Sequence, residues 1–270
     1  MRGQRGQVDR LDVLAVGAHP DDVELGCGGT VALLARAGRR VGVLHLTAGE
    51  AGTRGTAAER RAEAEAAAEA LGAVELLFLD CGDGALRHGR PEEDALIEVL
   101  RRHRPEIVLA PTPADRHPDH GRAHRLVADA CFYAGLAGRP TGELAPHRPG
   151  ALYAYMQHDP FEPAFVVDVT AVWDAKQRAL DAYRSQIHRA GASSEEGAEE
   201  GDEGAPSAAG ERDEPITKVA TADFRQAVEG RARHFGLLIG ATYGEPFWSR
   251  LPLAVSGADV LTRLQPGGVR

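Results

Sequence analysis

The feature that most constrains this 270-residue chain is an alternation, through its first half, of short aliphatic runs with longer amphipathic stretches. Residues 11–17, 41–46, 74–79 and 106–110 are brief, rich in Val and Leu, and bounded by Gly, Pro or Asp. That is the pattern of strands buried on both faces. Between them, residues 28–37, 57–71 and 92–102 have helical length, and the second is almost wholly Ala, Glu and Arg, all strong helix formers. Pro91 stands where a helix can begin, and Pro105 where that helix must have ended. Neighbouring parallel strands need a crossover, and a helix supplies it. The β-α-β-α-β-α-β order therefore predicts an α/β fold, a mainly parallel Rossmann-like sheet with helices on both faces.

The second half is less regular. Residues 120–136, 172–183 and 221–240 read as helices, and 152–156 and 165–169 as strands. Residues 191–214 carry nine acids against the single Arg212, lack apolar periodicity and are rich in Gly, Ala and Ser. Nothing in that stretch offsets the entropy of ordering it, so it reads as a disordered, solvated loop within one domain spanning residues 1–270. It also holds nearly all of the formal net charge of −9, leaving the rest of the chain close to neutral. No basic face points to nucleic acid. Cys27, Cys81 and Cys131 are too scattered for a disulfide framework or a C-x-x-C metal site. No apolar run approaches the ~20 residues that span a bilayer, and the polar, basic start lacks a secretory signal. The expectation is a reduced cytoplasmic protein that binds neither membrane nor nucleic acid.

In parallel α/β sheets, ligands bind beyond the carboxyl ends of the strands. Three unusual segments fall there: Ala18-His19-Pro20-Asp21-Asp22-Val23-Glu24 after the first strand, residues 47–55 after the second, and Asp115-Arg116-His117-Pro118-Asp119-His120 after the fourth. A catalytic zinc site takes three ligands from His, Asp or Glu and keeps a position open. His19, Asp22 and His120 supply that set, and Fe2+ or Co2+ would suit the same donors. Asp21 is then the candidate general base. His117 would stabilise a developing oxyanion or protonate a leaving amine, with Asp119 orienting it and favouring its charged form. Arg54, on the glycine-bearing second segment, suits a carboxylate. A competing reading makes Asp21, Asp22 or Asp119 mere helix caps. His45 reads as a satisfied core or near-site histidine, Cys27 as a small buried side chain, and Gly26-Cys27-Gly28-Gly29 as close helix–strand packing.

The paired motifs at residues 18–24 and 117–120 resemble the signature of the LmbE/PIG-L family of zinc-dependent N-acetylglucosamine deacetylases. Residues 49–56, Tyr183-Arg184-Ser185-Gln186 and 231–247 resemble its bacillithiol-biosynthesis branch more closely still. The resemblance implies Asp21 as base, His19, Asp22 and His120 as metal ligands, and His117 as transition-state stabiliser with Asp119 behind it. It also implies that Arg54 contacts a carboxylate or substrate. For the branch it implies a small-molecule substrate, N-acetylglucosaminyl malate, cleaved to glucosaminyl malate and acetate, and a hexameric homo-oligomer. The alternatives are another N-acetylglucosaminyl conjugate or a chitooligosaccharide, a two-metal phosphoesterase, and a non-catalytic metal- or sugar-binding module. The phosphoesterase would need a further ligand cluster that the sequence lacks.

Overall fold

The computed structural model describes residues 10–139, 141–187, 215 and 217–254. The acidic stretch 191–214 lies outside the described residues. The chain runs β1 (Val13–Gly17), α1 (Asp22–Arg36), β2 (Val41–His45), α2 (Ala57–Leu71), β3 (Glu75–Phe78), α3 (Arg90–His103), β4 (Ile107–Pro111) and α4 (Pro118–Ala134). It continues with β5 (Ala151–Tyr155), β6 (Phe165–Asp168), α5 (Trp173–Ala182), α6 (Ala222–Leu238) and β7 (Gly244–Trp248).

All seven strands share one sheet in the order β3-β2-β1-β4-β5-β7-β6. The pairings among β3, β2, β1, β4 and β5 are parallel, and those of β7 with β5 and β6 are antiparallel. Side chains of β1 alternate between two cores. Val13 and Ala15 join the cluster formed with α1, α2, α5 and α6, whereas Leu14 and Val16 join the one formed with α3 and α4. A strand covered on both faces has no polar side to spare, which is why it reads as a continuous apolar run. The chain winds from β1 outward to β3 and then returns to place β4 on the other side of β1. The loops leaving the carboxyl ends of β1 and β4 therefore diverge and open a crevice between them.

Local signals account for several helix ends. Thr56 and Glu59 form a reciprocal capping box at the start of α2, and Gly72 closes it in the left-handed region. Helix α1 departs from expectation. It begins at Asp22 rather than residue 28, and it is kinked at Cys27, whose φ/ψ of −142°/19° is not helical. The glycine cluster serves close packing, as its sequence suggested: a Cβ on Gly26 would lie 2.1 Å from the Tyr155 ring.

The kink frees backbone groups that must find partners. The Gly29 and Thr30 N–H groups donate to the Glu245 carboxylate at 2.9 and 2.6 Å, and the Thr30 hydroxyl donates to it as well. The Leu25 carbonyl accepts from Lys176 Nζ at 3.1 Å and from Arg231 Nη2 at 2.9 Å. Lys176 and Glu245, both buried, close the arrangement with a 2.5 Å ion pair.

Glu245 belongs to β7, which the sequence did not announce as a strand. Its segment Gly244–Trp248 contains Pro246, normally a mark against a strand that lies between two others. The pairing explains the exception. β5 bonds only to Phe247 and Trp248, so no partner strand on that side calls for the N–H that Pro246 lacks.

Candidate metal centre and active site

The crevice is a cavity of about 370 Å³, lined among others by His19, Asp21, Asp22, Arg60, Asp83, His117, His120 and His158. The β1–α1 turn brings in His19, Asp21 and Asp22. The β4–α4 turn brings in His117 at the N-terminus of α4 and His120 in its first turn.

Asp22 stands between two imidazoles. Its Oδ2 is 3.6 Å from His19 Nδ1 and its Oδ1 is 3.3 Å from His120 Nε2. Ligand atoms about 2.0–2.1 Å from a tetrahedral metal lie roughly 3.3 Å apart, so each histidine stands at about a co-ligand's spacing from one oxygen of Asp22. The far nitrogens face carboxylates: His19 Nε2 is 3.0 Å from Asp83 Oδ1, and His120 Nδ1 is 3.5 Å from Asp115 Oδ2. Both far nitrogens are buried without a hydrogen bond of good geometry. The donor set of two imidazoles and a carboxylate, each imidazole backed by an acid, fits a divalent cation. The ring nitrogens of His19, His117 and His120 also approach one another within 4.8 Å.

The electrostatics agree with a cation site. Burial alone would lower the His120 pKa, but Asp22 and Asp115 outweigh it and raise it to about 9. His19 is likewise held well above its ordinary value, against burial, by Asp119, Asp22 and Asp83. Burial would raise Asp22, yet the two histidines keep it well below the usual carboxylate range.

Asp21 differs from its neighbour. Its backbone lies at φ +98°, a region that non-glycine residues rarely enter, and its side chain makes no capping hydrogen bond. The capping explanation therefore fails for Asp21, and a strained residue at the mouth of a charged crevice points to function. Burial pushes its pKa up to about 7; Arg60, 3.8 Å away, restrains the rise and Asp22 adds to it. A carboxylate poised near neutrality is suited to take and return a proton.

His117 is itself the cap of α4. Its Nδ1 accepts from the Asp119 N–H at 3.3 Å, so in the neutral ring Nε2 carries the proton. Burial and the neighbouring His19 and His120 lower its pKa. The Asp119 carboxylate contacts Leu86 N–H, Arg122 and, at 3.5 Å, His19 Nε2. Its carboxylate stands behind His19, a candidate ligand, whereas the sequence placed it behind His117, and His117 is not driven to its charged form.

Arg54 sits outside the cavity lining. Its guanidinium donates to the Ser185 carbonyl at 2.8 Å and the Pro215 carbonyl at 3.3 Å. Among the described residues, the Arg and Lys side chains that line the cavity are instead Arg60, Arg116 and Lys218. His45 is buried beside Phe78 with both ring nitrogens lacking a hydrogen-bond partner, so it is a near-site histidine rather than a satisfied one. Cys27 is fully buried with its thiol pKa pushed well up by burial.

Several site residues escaped the sequence reading. Gln157 donates to Asp22 Oδ1 at 2.5 Å, while its backbone carbonyl accepts from Arg231. His158 stacks on His120 with ring centroids 5.7 Å apart. Arg60 donates to the Pro20 carbonyl at 2.7 Å beneath Asp21. Asp115 was in view, as the first residue of the third segment, and its backing position could have been suspected.

The model of the family described as PIG-L, GlcNAc-PI de-N-acetylase, matches residues 14–131. A diacetylchitobiose deacetylase of Thermococcus kodakarensis is 35% identical over 193 residues, covering 66% of this chain and 71% of the relative. The chain belongs to this family. It is thereby an enzyme that acts on an N-acetyl amide, and the family is metal-dependent. A 4-oxalmesaconate hydratase of Pseudomonas putida is 34% identical over 204 residues, 69% of this chain and 79% of that one. Among solved structures, the conserved protein TT1542 of Thermus thermophilus superposes with a TM-score of 0.77 at 36% identity, covering 92% of this chain and 98% of its own. Among the described residues, no helix is long and apolar enough to cross a membrane.

Proposed function

We propose that this protein is a zinc-dependent deacetylase that hydrolyses N-acetylglucosaminyl malate to glucosaminyl malate and acetate, a step of bacillithiol biosynthesis. The observation that carries the chemistry is Asp21, buried and in a strained backbone conformation beside the His19–Asp22–His120 cluster on one cavity wall. His19, Asp22 and His120 would hold the ion. Bound there, zinc supplies Lewis acidity, making water a better nucleophile and polarising the acetyl carbonyl.

The chain's own residues do the rest. Asp21 takes a proton from the attacking water and returns it to the glucosamine nitrogen as the C–N bond breaks, releasing acetate and a free amine. Arg60 holds Asp21 in place from below. His117, with its proton on Nε2, donates to the oxygen on which negative charge develops. Asp119 and Asp115 act from behind the two histidine ligands.

Support for an acidic conjugate comes from Arg116 and Lys218, two exposed side chains on the cavity wall and cations suited to the malate carboxylates. The reading carries a cytoplasmic location and a homohexamer with it, the latter checked by sedimentation. A second reading, hydration of an unsaturated tricarboxylic acid, is favoured by the similarity to the hydratase.

The test is acetate release by metal-stripped and zinc-reconstituted protein on N-acetylglucosaminyl malate, diacetylchitobiose and N-acetylglucosamine, with 4-oxalmesaconate hydration run beside them. Zinc-dependent release that is fastest on the malate conjugate supports the proposal. Preference for chitobiose would keep the chemistry and replace the substrate. Hydration without acetate release would refute the deacetylase reading.

A further inference from the structure

Asp83 lies in the turn between β3 and α3, between Gly82 and Gly84, both with φ in the left-handed region. That backbone shape turns a short acidic side chain back under the crevice, where it is only 7% exposed. Its two carboxylate oxygens have different partners. Oδ1 is 3.0 Å from His19 Nε2, and Oδ2 accepts from the Ala51 N–H at 2.8 Å. The Asp83 N–H in turn donates to Glu50 Oε1 at 3.0 Å, and Glu50 Oε2 accepts from the Ala48 N–H. The loops after β2 and β3 are thus pinned to each other, and Asp83 joins both to the His19 ring.

A neutral imidazole can give a metal only one nitrogen; the other carries the proton, and its partner decides which is which. Nδ1 of His19 faces Asp22, on the side of His120, and Nε2 faces away toward Asp83. Asp119 also lies on the Nε2 side, its Oδ2 at 3.5 Å and buried with no other partner, so Asp83 at 3.0 Å is the nearer of two carboxylates that face this nitrogen.

We infer that Asp83 is a positioning residue for the metal site. It holds the proton of His19 on Nε2, presents Nδ1 to the ion, and couples that orientation to the loop of residues 48–55 along the cavity. The inference rests on the metal reading of the proposed function. It predicts a loss of metal affinity that a merely structural role for Asp83 would not produce.

Zinc affinity, measured by competition with a chromophoric chelator, tests it on the wild type, Asp83→Asn and Asp83→Ala. Melting curves of the metal-free proteins report folding in parallel. Removal of a carboxylate behind a histidine ligand weakens metal binding by about 10–100-fold, the loss expected for Asp83→Ala, with a smaller one for Asp83→Asn. Nitrogen-15 NMR of the wild type supplies a readout that no variant's folding can spoil, and it should show His19 protonated on Nε2 in the zinc-loaded protein. Affinities of folded variants within about twofold of the wild type would overturn the inference while leaving the metal reading intact. A proton on Nδ1 would overturn it too. Failure of the wild type to bind zinc would overturn both.

Discussion

Replacing Glu245 by Gln is the most informative perturbation of the scaffold, because it keeps the volume and removes only the charge. In the native structure the carboxylate accepts three hydrogen bonds, from Gly29 N–H, Thr30 N–H and the Thr30 hydroxyl, and it pairs with buried Lys176. An amide there turns its NH2 toward donors on one side or the other and in either orientation leaves the buried Lys176 ammonium without an opposite charge. Removing one partner of a buried pair costs about 3–5 kcal/mol, a large share of the roughly 5–15 kcal/mol that holds a domain folded. At about 2–4 °C per kcal/mol in a protein of this size, the melting temperature should fall by roughly 6–20 °C. Lys176→Met should cost less. The Glu245 carboxylate would retain its three donors at the start of the second half of α1, where negative charge is favoured. The double variant should be more stable than Glu245→Gln alone, since it no longer buries an unpaired ammonium. Urea unfolding of the three variants reads out this ranking. A loss below about 1 kcal/mol for Glu245→Gln, or a larger loss for Lys176→Met, would refute the view that this pair sustains the kink.

Two other predictions concern single residues. Burial drives the His45 pKa from its ordinary 6.5 to about 3, so the folded protein keeps the ring neutral while the unfolded chain protonates it. This contribution to stability is complete above pH 6.5 and is lost as pH falls toward 3, at up to about 1.4 kcal/mol per pH unit. Glu24, pushed by burial to about 8, has the opposite slope, so the readout is the difference between wild type and His45→Gln in urea midpoints at pH 7 and pH 5. Parallel pH dependences would discard the argument. For Arg54→Ala, committed as the guanidinium is to Ser185 and Pro215 carbonyls, turnover should fall alike on neutral and malate-bearing substrates, within about threefold. A loss confined to the malate conjugate would return Arg54 to substrate binding.

The first half of the fold was legible because its strands are buried on both faces and its helices are periodic, so each local signal agreed with the global one. The site was legible for the same reason: two motifs dense in His and Asp follow strands whose carboxyl ends must be neighbours. Legibility failed where partners are remote in sequence. The true start of α1 was hidden: its glycine cluster was legible as close packing, but that the helix runs through it with a kink at Cys27 shows only in contact with Tyr155 and Glu245. β7 carries a proline that becomes tolerable only once its one-sided pairing with β5 is known. Asp83, in a Gly-Asp-Gly turn, looks like turn chemistry until the fold brings it under His19. Arg54 and Asp119 were placed at the correct edge of the sheet, but the direction of a long or shared side chain is not written in spacing.

The most direct test of the central claim is turnover by Asp21→Asn with its zinc content measured alongside. The variant is expected to fold, to bind zinc as the wild type does and to release acetate slower by roughly 10²–10⁴-fold, the usual worth of a general acid–base group. Near-wild-type acetate release from zinc-loaded Asp21→Asn would contradict it.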